Sequence, residues 1–238
     1  IIYIPLGLIT AIGTVMLPRI SSIVGESKEK TEKLLSKSTE LSICMSCAVG
    51  FGIAAIARVF VPLFFGEGYE KCVNLLVLFV PVLFVKSLSN VVDQQYLIPA
   101  KCDNQYTLAV TGGAIVNLIC NGLLIPQLGS VGATLGTLMA ELSVLIVSAH
   151  CAKKEIRFFR MFSRYSYYLL LGLIMFIAVR FFDSYSHIER SFIRLILMIM
   201  IGGGVYSLLC LTVWLKVKEK SVFGSILISL SKKGAIRK

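Results

Sequence analysis

Residues 73–98 read VNLLVLFVPVLFVKSLSNVVDQQYLI, and the reading of this stretch decides the fold. Its first half is apolar apart from Asn74, and its second half carries Lys86, Ser89, Asn90 and Asp93. Positions three, four and seven apart share one side of a helix, so the four polar groups form a single stripe. At ~1.5 Å per residue the stretch is long enough to cross a hydrocarbon core of ~30 Å. A polar stripe at that depth needs a partner or a water-filled cavity.

The rest of the chain points the same way. It has 238 residues, 56% hydrophobic and 16% charged, with a mean hydropathy of +0.83. A soluble domain is about a quarter charged and just under half apolar. Six further apolar stretches lie near 1–17, 38–65, 105–125, 131–150, 165–182 and 192–215. Most approach or exceed the ~20 residues that a membrane helix needs. They lack the polar face of a soluble core helix and the alternation of a membrane barrel. The expected fold is all-α, a polytopic bundle of about seven transmembrane helices.

The net charge of +11 would suggest nucleic acid in a soluble protein, but its placement argues otherwise. Basic residues crowd three connections and the tail: Arg19, Lys28, Lys30, Lys33 and Lys37; Lys101; Lys153, Lys154, Arg157, Arg160 and Arg164; then Lys216 onward. The alternate connections carry only Lys71 and Arg190. This is the positive-inside pattern, and it predicts a cytoplasmic C-terminus and no nucleic-acid partner. Arg180 and Arg194 run against it and are expected to snorkel. Within 19–37, Glu26–Lys30 and Glu29–Lys33 are favourable helical pairs, so the segment reads as a short surface helix or a solvated charged hinge.

Several ionisable or amide residues fall inside spans. Lys86 lies near a midplane, and Asp93 sits ~10 Å further along the same helix. Glu141 is also near a midplane, and Arg58 lies in the half of its helix away from the basic loops. Two readings stand for Lys86: an ion pair with Glu141 or Asp93 that fixes helix packing, or a hydrophilic lumen that attracts an anion. Asn117 and Asn121 share a helix face and suit bonding between helices. Gly132, Gly136 and Ala140 form a ridge for close helix packing, and Pro62 and Pro81 are candidate kinks.

Seven cysteines sit mostly in apolar runs and make no disulfide framework, and His150 and His187 are far apart. No metal, cofactor or catalytic motif is legible, so no enzyme is expected. The start, IIYIPLGLI, has no basic leader and reads as a helix entered partway, as in a fragment of a longer protein.

Four stretches carry a resemblance to a known family. They are TVMLPRISS (14–22), ARVFVPLFFGEGYEKC (57–72), NVVDQQYLIPAKCDN (90–104) and NLICNGLLIPQLGSVGATLGTLMAE (117–141). In this order and spacing the chain resembles the polysaccharide and oligosaccharide-lipid flippases of the multidrug/oligosaccharidyl-lipid/polysaccharide exporter superfamily. The resemblance implies two six-helix lobes around a central cavity. Residues 1–151 would supply most of the second lobe, and 152–238 an appended helix pair with a basic cytoplasmic tail. It further implies transport of undecaprenyl-diphosphate-linked oligosaccharides, such as O-antigen or capsule units, across the bacterial inner membrane by alternating access. Lys86, Arg58, Ser89, Asn90, Asn117 and Asn121 would then contact substrate, and Asp93 or Glu141 would bind the coupling ion. The expected partners are the lipid-linked oligosaccharide, membrane lipids, the missing N-terminal lobe, and a polysaccharide polymerase with its chain-length regulator. The alternatives are a drug or peptidoglycan-precursor exporter of the same fold, or a membrane polysaccharide polymerase. Short connections such as PQLGS (126–130) speak against the polymerase.

Overall fold

The computed structural model describes residues 3–153, 155–186 and 191–217. Lys154, His187, Arg190 and the basic tail from residue 218 lie outside the described residues. The described residues are helical with short connections, in agreement with the all-α expectation. The helices are α1 (Tyr3–Ser21), α2 (Lys28–Phe65), α3 (Lys71–Leu78), α4 (Val80–Val92), α5 (Asp103–Leu128), α6 (Ser130–Ala152), α7 (Phe158–Tyr165), α8 (Tyr167–Tyr185) and α9 (Ser191–Val217). A π-helical turn, Asp93–Leu97, continues α4.

Among the described residues, six helical stretches are long and apolar enough to span a membrane: α2, α3 through the π-turn, α5, α6, α7 with α8, and α9. The first predicted stretch forms α1, which packs beside them against α2, α4 and the π-turn. Helix α2 is central and touches α1, α3, α4, α7, α8 and α9. The core gathers around it, with Leu35 and Ile43 from α2, Leu88 and Val92 from α4, Tyr168 from α8 and Met198 from α9. Helix α5 lies at the edge of the bundle: it buries little beyond Ala109 and Gly113 and leaves Leu108, Leu118 and Leu123 exposed.

The charged segment after α1 departs from expectation. It is neither a separate surface helix nor a hinge, because Lys28 onward belongs to one 38-residue α2. The Ser27 hydroxyl caps its start by accepting the Lys30 amide, and Glu29 complements the helix dipole. At ~1.5 Å per residue, α2 is ~57 Å long, so its charged first turns project well beyond a ~30 Å core. Glu26 falls in the preceding turn, which leaves Glu29–Lys33 as the helical pair. At the other end Gly66, with φ 84°, stops α2 and returns its N–H to the Pro62 carbonyl.

Residues 73–98 are likewise not one helix. Pro81 has no N–H to offer and its ring crowds the carbonyl four residues back, so α3 and α4 part at Phe79. In the seam between α5 and α6, a Cβ at Gly132 would collide with the Leu124 carbonyl and one at Gly136 with the Asn121 side chain. The small-residue ridge is therefore a contact surface, as its spacing predicts.

Candidate functional site: a polar cavity between α4, α5 and α6

The stripe read from the sequence lines a cavity of about 360 Å³. Helix α4 and the π-turn contribute Lys86, Ser89, Asn90 and Asp93, α5 contributes Asn117, and α6 contributes Glu141. Lys86 Nζ donates to Glu141 Oε1 at 2.6 Å. The Lys86 side chain is 45% exposed and that of Glu141 16%, so the ammonium reaches into the open space while the carboxylate backs onto the bundle. An ammonium has three donors, and one is taken by Glu141.

Around this pair lie polar atoms with unused hydrogen-bonding capacity. Asp93 and Ser89 are buried, and Asp93 Oδ1, Ser89 Oγ and Glu141 Oε2 have no hydrogen-bond partner. Buried groups of this kind are costly unless water or a ligand meets them. The backbone is also irregular here. Ile98 N donates to Asp93 O at 3.1 Å and Cys102 N to Leu97 O at 2.9 Å, both five-residue bonds. This π-turn closes the C-terminal end of the α4 helix, where such turns are common. On the far side of the stripe, α1 comes close because Gly13 has no side chain; a Cβ there would lie 2.5 Å from Asn90 Oδ1.

The remaining predicted residues divide. Asn121 Nδ2 donates to Asn117 Oδ1 at 3.0 Å, but Asn121 lies deeper in the α5–α6 seam against Gly136, off the cavity wall. Arg58 is absent from the wall and faces a separate cavity near α8. Tyr106 and Thr137 line the polar cavity and were not anticipated. Both are hydroxyl side chains, and hydroxyls in apolar helices commonly bond their own backbone, as Thr137 does to Ala133 O at 2.9 Å.

Two buried carboxylates outside the cavity also went unread. Glu40, fully buried in α2, accepts the Tyr168 hydroxyl at 3.0 Å, and Trp214 Nε1 donates to the same hydroxyl oxygen at 2.8 Å. This chain of polar groups ties α2, α8 and α9 together. Asp183 pairs with Arg180 Nη1 at 2.7 Å and with Arg194 Nη2 at 2.6 Å. The two arginines are therefore held by a buried acid and do not merely snorkel. The signals were present: Glu40 sits at the edge of an apolar run, and Asp183 follows Arg180 by three positions.

A membrane bundle with an intramembrane polar cavity fits a transporter lobe, and the comparison with known families decides which kind. The family model "Lipid II flippase MurJ" matches residues 1–202. The chain belongs to the MurJ lipid II flippase family. A solved structure, "Lipid II flippase MurJ, inward closed conformation", superposes with a TM-score of 0.73 at 17% identity, over 90% of this chain and 45% of that one. The chain thus spans under half the length of that structure, and its fold is that of part of a flippase of this type. No curated protein matches the chain. Membership in the MurJ family supports the flippase reading and the multi-pass membrane setting. It favours the peptidoglycan-precursor alternative over O-antigen or capsule units, and lends no support to a polysaccharide polymerase or chain-length regulator as partners.

Proposed function

We propose that this chain is the second-lobe portion of a flippase that moves lipid II, a lipid-linked peptidoglycan precursor, across the bacterial inner membrane by alternating access. The observation that carries the reading is the Lys86–Glu141 pair on the wall of a mid-span cavity, with the ammonium open to it. A lipid-linked diphosphate is an anion, and a Lys with free donors is suited to it as a point charge. Glu141 holds Lys86 when no anion is near; an arriving diphosphate competes for the same ammonium. Ser89, Asn90 and Asn117 supply neutral hydrogen-bonding groups beside it, and Asp93 is positioned to take a coupling cation or proton. The basic connections face the cytoplasm. On this reading 1–151 belong to the transport lobe, 152–238 to the appended pair and tail, and the partner lobe lies elsewhere in the full protein.

The test is Lys86→Ala in the full-length protein, followed by lipid II translocation in reconstituted vesicles. Transport is expected to fall about tenfold or more, the equivalent of losing one charge-assisted hydrogen bond. Lys86→Arg is expected to keep more activity than Lys86→Met, because charge matters there more than length. Wild-type transport by Lys86→Ala at normal protein level would remove Lys86 from the path.

A further inference from the structure

On the side of the bundle away from the basic connections, a second cavity of about 460 Å³ opens between α2, α3, α4 and α8. It shares no lining residue with the Lys86 cavity. Arg58 from α2, Asn74 from α3 and Arg180 from α8 face it, and Val77, Leu78 and Phe176 make its apolar wall. All three polar residues lie near helix ends on one face: Arg58 before the α2 terminus at Phe65, Asn74 after the α3 start at Lys71, Arg180 before the α8 terminus at Tyr185. At ~1.5 Å per residue they sit within ~5–10 Å of those ends, close to the level where hydrocarbon gives way to headgroups.

The charges here do not cancel. Asp183 is buried and serves Arg180 and Arg194 together. Among the described residues, Arg58 has no acidic group within ion-pair distance. The nearby loop acids Glu67 and Glu70 do not line the cavity. The positive-inside pattern gives no reason for an unpaired cation on this face. Snorkelling would account for Arg58 alone. It does not account for a second guanidinium, fixed by Asp183 and delivered from another helix to the same cavity, or for the amide of Asn74 beside them. Arg180 uses Nη1 on Asp183, which leaves donors for a second acceptor.

We propose that Arg58, Arg180 and Asn74 form a phosphate-binding site occupied by the headgroup of an anionic phospholipid in the leaflet opposite the basic connections. Guanidinium groups match phosphate oxygens in pairs, the Asn74 amide adds a neutral donor, and the apolar wall takes the start of the acyl chains. A lipid seated there bridges α2 and α3 to the appended helix α8. The site does not depend on what the Lys86 cavity carries.

The experiment uses full-length protein in nanodiscs of phosphatidylcholine with a minor share of phosphatidylglycerol, and counts retained phosphatidylglycerol by native mass spectrometry. Arg58 is exposed and outside any ion pair, so Arg58→Gln is expected to fold, and thermal unfolding in pure phosphatidylcholine checks this. Lys71→Gln removes a charge on the same face from a residue that does not line the cavity. Retention is expected to drop about tenfold in Arg58→Gln, to be intermediate in Arg58→Lys, and to stay at the wild-type level in Lys71→Gln. Equal retention by Arg58→Gln and wild type overturns the site. So does an equal loss in Lys71→Gln, which would mean unspecific attraction to a charged surface. A parallel titration with inorganic phosphate separates the sources. Failure of phosphate to displace the lipid supports the headgroup, and displacement at matched concentration overturns the lipid assignment in favour of free phosphate.

Discussion

Lys86 in α4 holds Glu141 in α6 at 2.6 Å, across a cavity whose third wall is α5. This single contact embodies both readings that the sequence permits, a packing strut and a charge for an anionic cargo. Exposure separates the partners, since the ammonium is open and the carboxylate largely covered.

A charge exchange distinguishes the two roles. Lys86→Glu combined with Glu141→Lys rebuilds the pair with its polarity reversed. Thermal stability of the double variant is expected to recover toward wild type relative to either single change, while lipid II transport stays low. Recovery of both would make the pair structural and would leave the cavity without its cationic role.

The α5–α6 seam is expected to tolerate no added bulk at its ridge. Gly132→Ala places a methyl against the Leu124 backbone carbonyl, which cannot rotate away. A loss of about 1–3 kcal/mol is expected, read as a lowered unfolding midpoint of the detergent-solubilised protein. Gly122→Ala, on the same helix pair but with no atom within 4 Å of the new methyl, is expected to be neutral or slightly stabilising. Equal effects at the two glycines would contradict the close approach.

Docking of α8 and α9 on α2 should depend on one hydroxyl. Tyr168→Phe removes the donor to Glu40 and the acceptor for Trp214 Nε1 in a buried site. The expected cost is about 1–3 kcal/mol. Tyr185→Phe, at an exposed position, is expected to stay within about 0.5 kcal/mol of wild type. Faster hydrogen exchange in α8 and α9 of the Tyr168 variant, with α5 and α6 unchanged, would locate the effect; uniform exchange across the bundle would refute it.

Much of the molecule was legible one residue at a time. The run of apolar stretches required membrane helices, because only helices and closed barrels satisfy their backbone in lipid and the stretches lack a barrel's alternation. The spacing of Lys86, Ser89, Asn90 and Asp93 placed them on one face, and the structure puts all four on one cavity wall. The ridge of Gly132, Gly136 and Ala140 announced the α5–α6 seam in the same way, since helical periodicity is local.

What sequence order could not convey was distance between elements. It grouped Arg58 with Lys86 as cations of one lumen, whereas the fold sends Arg58 to a different cavity beside Arg180. It read Arg180 and Arg194 as snorkelling, because only the approach of α9 to α8 brings both to Asp183. It divided 19–37 from the membrane helix that follows, because hydropathy marks where lipid ends and a helix does not stop there. The sequence by itself determined the element type, the spans and the side of each helix that is polar, through composition and a fixed turn per residue. Tertiary structure alone decided which polar sides meet, because pairing depends on how α2, α4, α6 and α8 pack, and packing is set by side chains far apart in the chain.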